Sequence, residues 1–204
     1  MKQEKQNRLN EKFCMDLITA QDCKKLIAAA DSDCDKAIIS IFYETGCDLL
    51  ALSRLELRDI TRKDNYIVIR FSGYWDTIDH TFHNDRYFIP IYTSRCYLLK
   101  WLDKYPNDRD VDSSLWLKCN KDNSKLTQLE YGYIKKLLRK TFAKANIKKR
   151  HTPYWFQYSS ISNIATEFRG EILYHFMEWR LSHDLRNKKS IFDYHYFFIP
   201  DFVE

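Results

Sequence analysis

The sequence predicts a mainly α domain with one small antiparallel β-hairpin, an α+β arrangement, on three observations. Apolar residues recur at helical spacing through most of the chain. Two adjacent runs near its middle are rich in β-branched and aromatic residues, and only four glycines and four prolines interrupt 204 residues. With hydrophobic residues at 45% and aromatics at 16%, the composition is far from that of a disordered chain and supports one core of ordinary size.

Thr19 followed by Asp22 and then Leu26 and Ile27 reads as a capped first helix. The run Asp35 to Thr45 carries Ala37, Ile38, Ile41 and Phe42 on one face and ends at Gly46, the residue type that most easily terminates a helix in the left-handed region. A short helix over Leu49 to Leu55 follows. The period then changes to that of strands at Tyr66 to Phe71 and again at Arg86 to Tyr92, as in a long hairpin. Ser94 is placed to cap a helix running through Tyr105, and Thr127 with Glu130 reads as a capping box opening a helix to about Ala145. Pro153 suits the first turn of the next helix, where its missing N–H costs no hydrogen bond, and that helix is predicted to reach about Phe168. Helical segments Glu171 to Trp179 and Leu185 to Phe192 precede an aromatic tail containing Tyr194, Tyr196, Phe197 and Phe198.

No stretch approaches the roughly 18 uninterrupted apolar residues of a membrane helix, and the N-terminus is charged, so a cytoplasmic protein is expected. Cys14, Cys23, Cys34, Cys47, Cys96 and Cys119 form no C-x-x-C pair and have no histidine at zinc-finger spacing, which reads as reduced thiols, with no metal and no cofactor. The net charge of +5 favours a polyanion only weakly, but it is unevenly spread. Basic residues gather at Lys135, Lys136, Arg139, Lys140, Lys144, Lys148, Lys149 and Arg150, whereas Asp103 to Asp122 is acid-rich. Such asymmetry fits a nucleic-acid face, although a charged helix face is more often simply solvated.

Three segments carry a resemblance. Asp35 to Gly46 followed by Leu49 to Ile60 is similar to a helix, Thr-Gly turn and helix; Asn146-Ile-Lys-Lys-Arg-His-Thr-Pro153 is similar to a basic box before a helix; and Phe176-Met-Glu-Trp179 with Tyr194-His-Tyr is similar to two terminal boxes. In this order and at these distances they resemble the archaeal integrase branch of the tyrosine recombinases, over roughly residues 17 to 201. The resemblance implies the recombinase catalytic-domain fold (the DNA breaking-rejoining fold) for residues 17–204, behind a charged lead at 1–16 and without the family's separate N-terminal core-binding domain.

In that family a tyrosine attacks a DNA phosphodiester, and two arginines, a hairpin lysine and a histidine or tryptophan hold the developing charge. Aligned residue by residue, Asp48 takes the place of the first arginine, Tyr74 that of the lysine, Tyr154 that of the histidine and Gln157 that of the second arginine. Trp179 keeps the last cradle position, and Tyr194 takes the nucleophile's place, although an aromatic tail also suits simple packing. Arg54, or His183 with Arg186, reads either as a displaced phosphate ligand or as surface.

The resemblance therefore implies a degenerate integrase-like protein of a mobile element, viral or plasmid. It is expected to bind double-stranded DNA weakly and in a salt-sensitive way through Lys144, Lys148, Lys149, Arg150, Arg70 and Arg86, becoming nucleoid-associated when bound, and not to cleave DNA alone. An intact recombinase, or a second copy through the C-terminal aromatic tail, is a further expected partner. The alternatives are an active divergent integrase using Tyr194, and a protein–protein interaction module with no DNA role.

Overall fold

The computed structural model describes residues 17–75, 82–106, 110–119, 126–149 and 152–167; at 73–75, 82–87, 118–119, 126–127, 161 and 164–167 it describes the backbone alone. Its helices are α1 (Ala20–Ala29), α2 (Asp33–Thr45), α3 (Leu49–Ser53), α4 (Arg95–Leu102), α5 (Tyr131–Lys144) and α6 (Pro153–Glu167). Its strands are β1 (Ile60–Arg62), β2 (Ile67–Trp75), β3 (Phe82–Ile91), β4 (Leu117–Cys119) and β5 (Leu126–Gln128).

The first helix starts as its sequence requires. Thr19 accepts from the Asp22 N–H while the Asp22 carboxylate accepts from the Thr19 N–H, a reciprocal capping box. Buried residues occupy every side of α2, including Ala37, Ile38, Ile39, Ile41 and Phe42, which makes it the central helix. It packs against α1, α4, α5 and α6. Gly46 ends it at φ 56°, returning its N–H to the Phe42 carbonyl.

β1, β2 and β3 form one antiparallel sheet in that order, with Ile60 opposite Ile69 and Ile69 opposite Ile89. Period-two alternation turns Ile67, Ile69, Phe71, Ile89 and Ile91 into the core and leaves Phe88 exposed on the outer face. β3 is an edge strand, the position in a sheet that tolerates Pro90. The register shifts between Ser72 and Tyr74. A second, two-stranded sheet pairs β4 with β5. Trp116 ties this sheet to the helices by donating its indole N–H to the Leu52 carbonyl at 2.6 Å.

The mainly α architecture with a small antiparallel sheet is thus as the sequence predicts, but two expected caps are corrected. Thr127 lies in β5 with its backbone opposite Lys118, and Glu130 precedes α5 with no side-chain cap bond, so no capping box opens that helix. Strand pairing has claimed the residue that the local pattern assigned to the helix. Ser94 stands at the N-cap of α4 without a side-chain cap bond: its backbone is helical, at φ −78° and ψ −9°, where a capping residue is normally extended, and its hydroxyl donates to Glu44. The same Glu44 carboxylate accepts from the N–H groups of Tyr92 at 2.7 Å, Thr93 at 3.2 Å and Ser94 at 2.7 Å. A carboxylate from α2 therefore caps α4 from outside, where the helix dipole favours negative charge. Among the described residues no helix is long and apolar enough to cross a membrane.

Candidate functional site

The turn between α2 and α3 and the first three turns of α6 build the region that the sequence singles out. Thr45 is buried, donates its hydroxyl to the Ile41 carbonyl and accepts from the Cys47 N–H, so the turn is fixed from within. Asp48 then opens α3 as its N-cap: one carboxylate oxygen accepts from Leu50 N–H at 2.7 Å and Ala51 N–H at 3.2 Å. Arg54 lies at the other end of this helix, as its exposed C-cap.

α6 crosses this turn with its apolar side inward. Phe156 stacks on Phe42 with centroids 4.7 Å apart and meets Phe142 edge-on at 6.1 Å. Beside that contact runs a polar stripe at three-residue spacing. Gln157 donates to the Cys47 carbonyl at 3.4 Å, Ser160 to the Glu44 carbonyl at 3.1 Å, and Asn163 to the Tyr43 hydroxyl at 2.8 Å. Two of these acceptors belong to the end of α2 and the turn after it, where carbonyls lack intrahelical partners.

Two of the positions predicted from sequence are therefore brought to one junction: Gln157 hydrogen-bonds the residue that precedes Asp48. Tyr154 lies at the start of α6 with 61% of its surface exposed. Tyr74 lies on β2 opposite His83, just past the register shift. Trp179, His183, Arg186 and Tyr194 lie outside the described residues.

The predicted DNA-binding cations divide by their partners. Arg70 directs Nε and Nη2 at one oxygen of the buried Asp59, at 2.9 and 2.8 Å. Lys149 donates to the Leu17 carbonyl and to Asp22, whose carboxyl is pushed up by burial but drawn below its usual value by hydrogen bonds from Lys149 and Thr19. Lys144 pairs with Asp31, as does Lys140. Lys148 is exposed; Arg86 lies on β3 with its backbone opposite Ser72, and Arg150 lies outside the described residues. On α5, Lys135, Lys136 and Arg139 are exposed, and Lys135 stands 4.5 Å from the Tyr131 ring centroid. The sequence gives no hint of the carboxylate partners of Lys144 and Lys149, which lie 113 and 127 residues away.

No protein-family model matches the chain, nor does any curated protein sequence. Solved structures do. The chain superposes on XerA recombinase with a TM-score of 0.65 at 20% identity, over 86% of this chain and 57% of that one. This is the fold of the tyrosine recombinase catalytic domain. XerH site-specific recombinase in a post-cleavage complex with its palindromic difH substrate matches at 0.61 and 18% identity, over 89% of this chain and 49% of that one. The Tn1549 transposon integrase in complex with circular intermediate DNA matches at 0.57 and 17%, over 87% and 60%. The chain spans about half to three-fifths of the length of these tyrosine recombinase structures.

Proposed function

We propose that this chain is a degenerate tyrosine recombinase-like, DNA-binding protein of a mobile element, that it does not cleave DNA alone, and that it regulates integration or recombination. The observation that carries this reading is the use of both aligned arginine positions for helix-end hydrogen bonds. Asp48 gives its carboxylate to the N-terminus of α3, and Gln157 gives its amide to the Cys47 carbonyl. Neither side chain offers the planar, charged fork that holds a phosphoryl oxygen. An Asp48 carboxylate facing a phosphodiester would add like-charge repulsion.

Loss of one oxyanion donor typically costs about 100- to 1000-fold in rate, and here the arginine pair, the lysine and the histidine are all replaced in the alignment. DNA binding needs less, since phosphate contacts require only positive charge within reach. The shared fold supports DNA as the partner, because the solved XerH and Tn1549 integrase structures hold DNA. The exposed cations of α5 and Lys148 would supply the contacts, and the protein would act in the cytoplasm at the nucleoid.

The test is incubation of the purified chain with supercoiled plasmid and with a nicked duplex, read by denaturing gel for a covalent protein–DNA adduct and by titration for binding. Salt-sensitive binding without adduct is expected. An adduct that disappears in Tyr194→Phe would overturn the reading in favour of an active, divergent integrase. No binding at low salt would place the protein among interaction scaffolds instead.

A further inference from the structure

Lys140 and Lys144 lie one turn apart on the exposed side of α5 and converge on one residue, Asp31, in the loop joining α1 to α2. Each ammonium takes a different oxygen: Lys140 Nζ is 2.7 Å from Oδ2, and Lys144 bonds Oδ1. The two lysines, Lys140 foremost, hold the Asp31 carboxyl down at about 2, so it is fully ionised at neutral pH. All three side chains stay open to solvent, at 62%, 41% and 46% exposure. α5 itself, from Tyr131 to Lys144, contains no carboxylate.

Two ammonium groups that each grip one oxygen of the same anion are arranged for any anion presenting two adjacent oxygens, a phosphodiester included. We propose that Lys140 and Lys144 form a two-pronged clamp for a backbone phosphate of duplex DNA, and that Asp31 is its internal occupant, displaced when DNA binds. The proposal rests on the DNA-binding reading above and adds to it a built-in competitor. Asp31 lowers both the affinity and its salt dependence, because cations already matched by a carboxylate contribute less to the counterion release that drives phosphate binding. The loop position of Asp31 lets it leave the clamp without unfolding α1 or α2.

Titration of wild type, Asp31→Asn and Asp103→Asn with one DNA duplex, at about 50 and 200 mM salt, tests this. Asp103 is exposed at the end of α4, so its replacement changes net charge equally without touching the clamp. Asp31→Asn is expected to bind several-fold more tightly at low salt. Its plot of log affinity against log salt should steepen by about one unit, which is an extra loss of about three- to four-fold between the two conditions. Asp103→Asn should change neither. Equal effects of the two substitutions would reduce Asp31 to a net-charge term and overturn the clamp, as would an unchanged Asp31→Asn. If no protein of the set, wild type included, binds at low salt, the DNA-binding reading itself fails and the clamp falls with it. Thermal melts on each variant verify that the fold is kept.

Discussion

Gly46 and Ser160 meet with no room for a further atom between them: a Cβ built on Gly46 would stand 2.6 Å from the Ser160 Cβ and 2.9 Å from its Oγ. Gly46 also holds φ at +56°, where a side chain is strained whatever the space around it. Gly46→Ala is therefore expected to lose about 2–4 kcal/mol, the sum of backbone strain and displacement of α6. Urea unfolding measures it, as a lower midpoint at unchanged slope. A loss of only about 1 kcal/mol would leave backbone strain alone and mean that α6 moves aside freely.

Asp48 offers a test of what its carboxylate does. As an N-cap, Asp48→Ala should cost about 1 kcal/mol, and Asp48→Asn, which keeps an oxygen for the Leu50 and Ala51 N–H groups, only a few tenths. Asp48→Arg should destabilise as Ala does and leave the chain unable to form a covalent DNA adduct. An Asp48→Asn variant as unstable as Asp48→Ala would show that charge, and not the cap bonds, is what the position supplies.

The Asp22 to Lys149 contact sets a pH dependence. Burial alone would raise the Asp22 carboxyl, yet the hydrogen bonds from Lys149 and Thr19 draw it below 3.8. A folded-state value below the unfolded one contributes stability that is present above 3.8 and is lost as pH falls through the folded value. Wild type should therefore exceed Asp22→Asn in urea midpoint at neutral pH, and the gap should narrow as pH falls below 3.8. A gap of constant size would place the whole effect in the neutral cap bonds.

What the sequence made legible is local. The Thr19 and Asp22 box, the Gly46 stop and the hairpin each depend on residues a few positions apart, and all three appear in the fold. The Thr127 and Glu130 pattern is just as local, but pairing of β5 with β4 overrode it. β1, β4 and β5 are three residues long, too short for alternation to register. At the site, the alignment placed Asp48 and Gln157 at one pocket; in the structure Gln157 bonds the carbonyl of Cys47, the residue before Asp48. The Gln157 contact needed coordinates, since it reaches a carbonyl 110 residues away, while the Asp48 cap is as local as that of Thr19. Comparable distances, 113 and 127 residues, hid the anchoring of Lys144 and Lys149, whereas Arg70 meets Asp59 only 11 residues away, across the first strand turn.

The Glu44 carboxylate holds the three N–H groups that carry the chain from β3 into α4, while the Glu44 carbonyl receives Ser160 from α6. One residue thus serves as the hub where the base of the hairpin, the central helix and the helix crossing the Gly46 turn are joined. The entry into α4 and the crossing of α6 are thereby both indexed to the last turn of α2, through a single side chain and its own backbone oxygen.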